Sequence, residues 1–229
     1  MSTVCRVQSQ SVNYLPTGKA VGTPFNNYPA ISKKNAEELE YSEIRGNCFW
    51  DKEWHPALLL FKMGGDVKLK NVKLNLYTNN IHYINNAGAE LVAVTNTTKI
   101  IFYDKKDTTK VTAIFQRFAS FTEKHKESFI QVLAGGEIQL AKNYIVSLSK
   151  EFDPAYSRSK YRFRTKTRYL IINHGDVSPL KSINKASILS IIKPSMKQKE
   201  WLQSNNNKLK TETDAIAFLT FCNSNLKTQ

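Results

Sequence analysis

The stretch that decides the fold runs from Arg158 to Asn173, RSKYRFRTKTRYLIIN, and continues as HGDVSPL to Leu180. Cations occupy every second position from Arg158 to Arg168, and a serine, aromatic residues and threonines occupy the positions between them. On a β-strand this two-residue period places the two sets on opposite faces, and the set of aromatic residues and threonines suits a packed face. Turn residues at His174-Gly175-Asp176 then allow pairing with the strand that follows. The stretch therefore predicts a long strand that ends in a hairpin.

Short strand signals separated by turn residues precede this hairpin. The turn signals are Gly64-Gly65, Asn79-Asn80, Ala87-Gly88 and Gly135-Gly136. Between the first two turns, Leu69 and Val72 fall on opposite parities, which predicts a β-bulge or a turn near Lys70-Asn71. The pattern predicts a mainly β (α+β) fold, an antiparallel meander that forms a curved sheet or partial barrel.

From residue 183 onward the apolar residues follow a helical period. Asn184 is a candidate N-cap, Pro194 should end or kink the first helix, and Thr211–Asp214 is a capping-box pattern. We therefore expect a C-terminal pair of short helices packed on the sheet. The predicted organisation is an extended N-terminal arm at 1–45, an antiparallel β domain at 46–182 and C-terminal helices at 183–229.

Positive charge is concentrated in one region. The chain has a formal net charge of +14, and residues 158–210 contain 13 Lys or Arg against two Asp or Glu, a net of +11. Such a balance favours an acidic partner, whether nucleic acid, an anionic membrane surface or an acidic protein face.

Six of these cations share one face of the predicted strand, where neighbouring members of the set lie about 6.6 Å apart. We call this set the cationic strand. They are Arg158, Lys160, Arg162, Arg164, Lys166 and Arg168. The nearby acids that could offset their repulsion are Glu151, Asp153 and Asp176. Two interpretations stay open: an edge strand protected from aggregation by its charges, or a face that binds an anionic partner.

No motif for catalysis or metal binding is evident. The histidines His55, His82, His125 and His174 are scattered without HxxxH or HExxH spacing, and the glycine pairs lack phosphate-loop spacing. No GxSxG elbow occurs. The sequence therefore predicts a protein that is not an enzyme, with no catalytic residues, cofactor, metal site or small-molecule substrate.

Cysteines and tryptophans each allow two interpretations. Cys5, Cys48 and Cys222 lack zinc-site spacing, and buried free thiols are favoured over a Cys48–Cys222 disulfide. Trp50 and Trp54 suit either an aromatic binding platform or a hydrophobic lid on the sheet, and the lid is favoured.

The order of several segments resembles small exported, β-rich, largely uncharacterised envelope proteins of the Bacteroidota. The segments are Gly46–Trp54 (GNCFWDKEW), Lys68–Tyr77 (KLKNVKLNLY), Phe129–Ala141 (FIQVLAGGEIQLA) and an ending that joins Ile183–Ile192 to Trp201 and a Thr-Glu-Thr-Asp helix. The resemblance covers roughly residues 46–223. It implies a periplasmic protein whose signal peptide is absent or truncated in this chain, because no apolar segment follows Met1.

The resemblance and the charge together lead to one main functional expectation. It is a non-catalytic accessory subunit that docks on an outer-membrane protein assembly, such as a secretion or uptake machine, through the cationic strand and without a transmembrane segment. The alternative is a nucleic-acid-binding basic β protein, although Tyr161, Phe163 and Tyr169 lie on the face opposite the cations. A hydrolase or transferase with a dispersed site would need a pocket with convergent polar groups.

Overall fold

The computed structural model describes residues 44–93, 96–119, 127–153 and 158–226, and only the backbone of residues 153, 158, 159 and 226. Apart from Ile44 and Arg45, the predicted N-terminal arm lies outside the described residues, as do Cys5 and His125. The predicted domain boundaries therefore stay predictions.

The described residues form a mainly β protein with ten antiparallel strands in one unclosed sheet and three helices. The strands are β1 His55–Phe61, β2 Asp66–Asn75, β3 Asn80–Ile84, β4 Glu90–Ala93, β5 Thr97–Tyr103, β6 Val111–Ala119, β7 Glu127–Ala134, β8 Ile138–Asp153, β9 Arg158–Asn173 and β10 Asp176–Leu180. The helices are α1 Lys185–Ile191, α2 Met196–Ser204 and α3 Glu212–Leu226. The predicted fold class is confirmed, with the C-terminal helical region divided into three helices.

The chain divides into two compact units. Among the described residues, the first comprises 44–93, 96–112, 119, 127–128, 146–153 and 158–165, and within it the strand order is β5-β1-β2-β3-β4. The second comprises 113–118, 129–145 and 166–226, with the strand order β10-β9-β8-β7-β6 and all three described helices. Both β8 and β9 contribute residues to each unit.

In the first unit, β2 contains the predicted bulge. His55 pairs with Val72 but Ala57 pairs with Leu69, so β2 has one more residue than β1 between these pairs. The extra residue lies at Lys70-Asn71 and reverses the parity of the strand. Leu69 and Val72 are consequently both buried, although their parities differ.

Segment 44–50 packs on β9 in the same unit. The Arg45 N–H donates to the Tyr161 carbonyl at 3.0 Å, and the Phe163 N–H donates to the Arg45 carbonyl at 2.8 Å. Gly46 has φ +92, and a Cβ there would lie 2.7 Å from the Phe163 carbonyl oxygen. Only glycine allows this close approach without strain. The segment thereby places Ile44 and Cys48 in an apolar cluster with Val146 and Phe163.

In the second unit, polar caps define the helices. Asn184 caps α1 by accepting from the Ser187 N–H, and Pro194 separates α1 from α2. Ser195 and Gln198 form a capping box that starts α2. Thr211 and Asp214 exchange hydrogen bonds at the start of α3, as the sequence predicts. The proline therefore ends α1, and a new cap starts the next helix.

Buried Asn223 connects α3 to the β7–β8 hairpin. Its Oδ1 accepts from the Ile138 N–H at 2.9 Å, and its Nδ2 donates to the carbonyls of Gly135 at 3.0 Å and Ile138 at 2.7 Å. A Cβ on Gly136 would lie 2.4 Å from the Asn223 side chain, so the turn accommodates the amide only with glycine. Around this contact, Leu140, Ile171, Phe218 and other apolar residues of the strands and helices form the core.

Both described cysteines are buried free thiols, as the favoured interpretation predicts. Cys48 belongs to the apolar cluster of the first unit and Cys222 to the helix–sheet core of the second. Burial raises the pKa of each thiol to about 11, so both stay protonated and weakly nucleophilic at neutral pH.

Replacing Gly46 with alanine should lower the free energy of unfolding more than replacing Gly88 does. Gly88 also has a positive φ, +80, but no atom lies within 4 Å of its would-be Cβ. We expect Gly88→Ala to cost about 1–2 kcal/mol from the backbone alone. Gly46→Ala should cost at least about 1 kcal/mol more, because the Phe163 carbonyl must also move. Equal losses in urea unfolding would contradict the close packing of segment 44–50 on β9.

Replacing Asn223 with alanine should destabilise the protein by about 2–4 kcal/mol, because it leaves buried backbone groups of the β7–β8 hairpin unpaired. Thr220 is a matched control on the same helix, since its exposed hydroxyl donates to the Ile216 carbonyl one turn earlier. Thr220→Ala should cost less than about 1 kcal/mol in the same urea titration. Similar losses for the two variants would contradict the role of Asn223.

Candidate binding surface on the cationic strand

The cationic strand lies on β9, as predicted, and its residues belong to both units. Residues up to Thr165 belong to the first unit and those from Lys166 onward to the second. The Arg158 side chain lies outside what the structure describes, and Lys160 is half-buried.

In the first unit, two arginines share one carboxylate. Arg162 Nε lies 3.3 Å from Glu151 Oε2, and Arg164 Nη2 bonds Glu151 Oε1. Arg164 Nε also donates to Ser149 Oγ at 3.2 Å. Glu151 is thus one of the nearby acids that the sequence suggested as partners of the cations. Because a single carboxylate pairs with two guanidinium groups, one positive charge remains uncompensated. The Arg164 side chain, 59% exposed, presents that charge to solvent.

In the second unit, Lys166 and Arg168 are exposed. Within the described parts of the chain, neither side chain has an ion pair or a hydrogen bond. β10 pairs with β9 only from Tyr169 to Asn173, so both cations precede this ladder. Their position therefore suits charge protection of an unpaired strand edge as well as binding of an anion.

The opposite face of β9 is packed only in part, which corrects one expectation. Phe163 is buried in the cluster of the first unit, and Tyr169 packs against the core of the second. Thr165 and Thr167 are exposed, although the sequence pattern assigned them to a packed face. These short side chains are not members of either apolar cluster, so parity alone did not determine their burial.

A polar cluster anchors β8 and β9 to α3 inside the second unit. Glu212 Oε2 accepts from Lys142 Nζ at 2.9 Å and from the Tyr169 hydroxyl at 2.8 Å. Burial opposes ionisation of Glu212, but these hydrogen bonds outweigh it and lower the pKa of the carboxyl group. Burial and the bond to Glu212 raise the pKa of Tyr169. The sequence did not reveal this cluster, because its members are 43 and 70 residues apart.

The aromatic residues that alternate with these cations on β9 form packing contacts or hydrogen bonds inside the protein. Tyr77 contacts Phe163 with ring centroids 5.2 Å apart, and Tyr161 packs on the same cluster. Tyr169 holds its hydroxyl against Glu212. None of the three is an exposed ring beside the cations, on which a nucleic-acid base could stack.

The two tryptophans occupy different environments in the first unit. Trp50 contacts Phe102 with a centroid distance of 4.8 Å and also contacts His55, which fits the favoured lid interpretation. Trp54 lines an open groove of about 690 Å³ together with Lys68, Lys70 and Lys105. Lys73 Nζ lies 4.5 Å from the centre of the Trp54 ring. For Trp54, the platform interpretation therefore stays a prediction.

Two of the described histidines contact a carboxylate, and the third lies in a turn. His55 contacts Asp51 at 3.0 Å, His82 contacts Glu90 at 2.8 Å, and His174 occupies the predicted turn with φ 48. Within residues 44–93, 96–119, 127–153 and 158–226, no group of three or more His, Cys, Asp or Glu could hold a metal ion. None of the helices described in this structure has the length and apolar character needed to cross a membrane.

The chain matches no protein-family model, and no curated protein or solved structure is similar to it.

Replacing Glu212 with glutamine should lower the free energy of unfolding by about 1 kcal/mol at neutral pH. Because the folded-state pKa of Glu212 is lowered, its contribution is fully present above the unfolded pKa and is lost as pH falls through the folded value. The difference between the wild type and Glu212→Gln should therefore shrink between about pH 5 and pH 3 in urea titrations. A difference that stayed constant across this range would contradict an ionised Glu212 in the folded protein.

Proposed function

We propose that the chain is a non-catalytic accessory protein of the cell envelope, located in the periplasm, that docks on an acidic protein surface through the cationic strand. In this role it is a subunit of an outer-membrane protein assembly such as a secretion or uptake machine. The envelope setting is supported by the sequence resemblance, and the mode of docking is supported by charge.

The docking proposal rests on the exposure of Lys166 and Arg168 and on their lack of an acidic partner among the described residues. Both side chains are exposed, and within the described residues both lack an acidic partner. The neighbouring carboxylates are already used, since Glu151 pairs with Arg162 and Arg164, and Glu212 pairs with Lys142. An acidic partner could thus form new ion pairs without breaking existing ones.

The energetics favour a charge-steered and salt-sensitive interaction. One exposed ion pair is worth about 0.2–1 kcal/mol, so two or three of them cannot alone give tight binding. Their main effects would be to speed association and to orient the partner. The aromatic packing described above favours a protein partner over single-stranded nucleic acid, because single-strand binders combine cations with exposed rings.

The double variant Lys166→Glu/Arg168→Glu should lose the interaction selectively. Nuclease-treated envelope extract is passed over immobilised protein at low salt, and the retained proteins are quantified by mass spectrometry. We expect retention of the specific partner to fall about tenfold or more, because two attractions become repulsions. Added salt should weaken wild-type retention in the same direction.

The matched control is Lys62→Glu/Lys110→Glu, which changes the net charge equally at two exposed lysines outside β9. It should retain the partner as the wild type does. Glutamate also protects a strand edge from aggregation, so the β9 variant stays soluble if edge protection is the only role of these cations. Unchanged retention by the soluble β9 variant, or equal loss in the control, would overturn the proposal. Selective retention of a labelled single-stranded oligonucleotide would replace it with the nucleic-acid alternative.

A further inference from the structure

A groove lined by lysines lies on the helical side of the second unit. It has a volume of about 680 Å³ and is bounded by α1, α2 and the loop that joins α2 to α3. Four lysines line it, Lys185, Lys199, Lys208 and Lys210, and no acidic residue does. A concave surface lined by charges of one sign raises the local concentration of ions of the opposite sign.

The acids close in sequence to these lysines do not neutralise them. Glu200 follows Lys199 directly on α2, but it does not line the groove and forms no ion pair with a described residue. Asp214 accepts from the Lys210 and Thr211 backbone N–H groups, and Glu212 is bonded to Lys142 and Tyr169. Across the described residues, none of the four lysine side chains has an ion pair. The groove therefore has four positive charges without internal compensation.

The loop that presents Lys208 and Lys210 is held in a fixed conformation. Asn206 and Leu209 both have positive φ, 49 and 51, although neither is glycine. Leu209 is fully buried, and Asn207 bonds both the Leu209 N–H and the Asp214 carbonyl at 2.9 Å. Such strained residues persist only when their surroundings determine them, so the lysines are placed on a rigid support.

We propose that this groove binds a small ligand that has at least two phosphate groups. Its volume lies in the range of small-molecule sites. A terminal phosphate group has a charge of about −1.5 to −2 at neutral pH and a linked second phosphate adds about −1, so two linked phosphates offset most of the charge of four lysines, whereas a single carboxylate would leave most of it uncompensated. Lysine binds phosphate as a compact point charge.

Other lining residues complete the site. Gln203 and Asn206 also line the groove, and their side-chain amides have N–H groups that can donate to phosphate oxygens. Leu189 and Pro194 add an apolar surface that could accommodate the organic part of a phosphate ester. The site shares no residue with the cationic strand and does not depend on the proposed docking function.

Isothermal titration of the full chain with inorganic pyrophosphate at low salt tests the proposal. We expect saturable binding, about tenfold or more tighter than binding of orthophosphate, because a second phosphate engages further lysines. Lys199→Gln/Lys210→Gln should weaken pyrophosphate binding about tenfold or more, while the unfolding temperature without ligand stays near that of the wild type.

Two matched controls separate this site from general basicity. Lys62→Gln/Lys181→Gln, with the same change in net charge, should bind pyrophosphate as the wild type does. Lys166→Glu/Arg168→Glu should also bind it, so failure of the docking proposal leaves this result unaffected. No saturable binding, no preference over orthophosphate, or an equal loss in the first control would overturn the proposal.

Titration with ADP then identifies the source of the phosphates. Binding equal to or tighter than that of pyrophosphate assigns a diphosphate ester whose organic part uses Leu189 and Pro194. Weaker binding assigns free pyrophosphate. Both results support a site for two linked phosphate groups.

Discussion

The two-residue period of β9 is the constraint on which the rest of the structure depends. Because side chains alternate between the faces of a strand, placing Phe163 in one apolar cluster and Ile171 in another fixes the cations on the other face. That same face becomes apolar at Leu170 and Ile172, which are both buried. A shift of the β9 register by one residue would bury arginines and expose aromatic rings. The register of β9 therefore also determines which face presents the positive charges.

Acidic residues are few in this chain, and where the structure places them decides which cations remain available. Glu151 serves two arginines, Glu212 serves Lys142 and Tyr169, and Asp214 accepts backbone N–H groups of the loop before α3. Each contact stabilises local structure and removes a carboxylate that could otherwise have balanced a nearby lysine. The excess charge is therefore displayed at two separate places, the exposed part of β9 and the groove beside α1 and α2.

Local rules predicted the elements well, and long-range contacts lay beyond them. The bulge at Lys70-Asn71, the turn at His174 and the Thr211–Asp214 cap follow from parity, turn chemistry and capping. The Ser195–Gln198 capping box has an equally local signal, yet the expected pair of helices did not include the separate helix that it starts. The contacts of Asn223 and Glu212, and the exposure of Thr165, depend on which distant segments meet, which no local pattern specifies.

The central claim is that the exposed cations of β9 contact an acidic protein surface. Lysine acetylation of the full chain, with and without nuclease-treated envelope extract, tests it most directly. Mass spectrometry would compare the labelling rates of Lys166 and Lys62, which are both exposed in the isolated chain. The account predicts that the extract protects Lys166 but not Lys62, and that added salt removes the protection. Equal labelling of Lys166 with and without extract, while a partner stays bound, would contradict it.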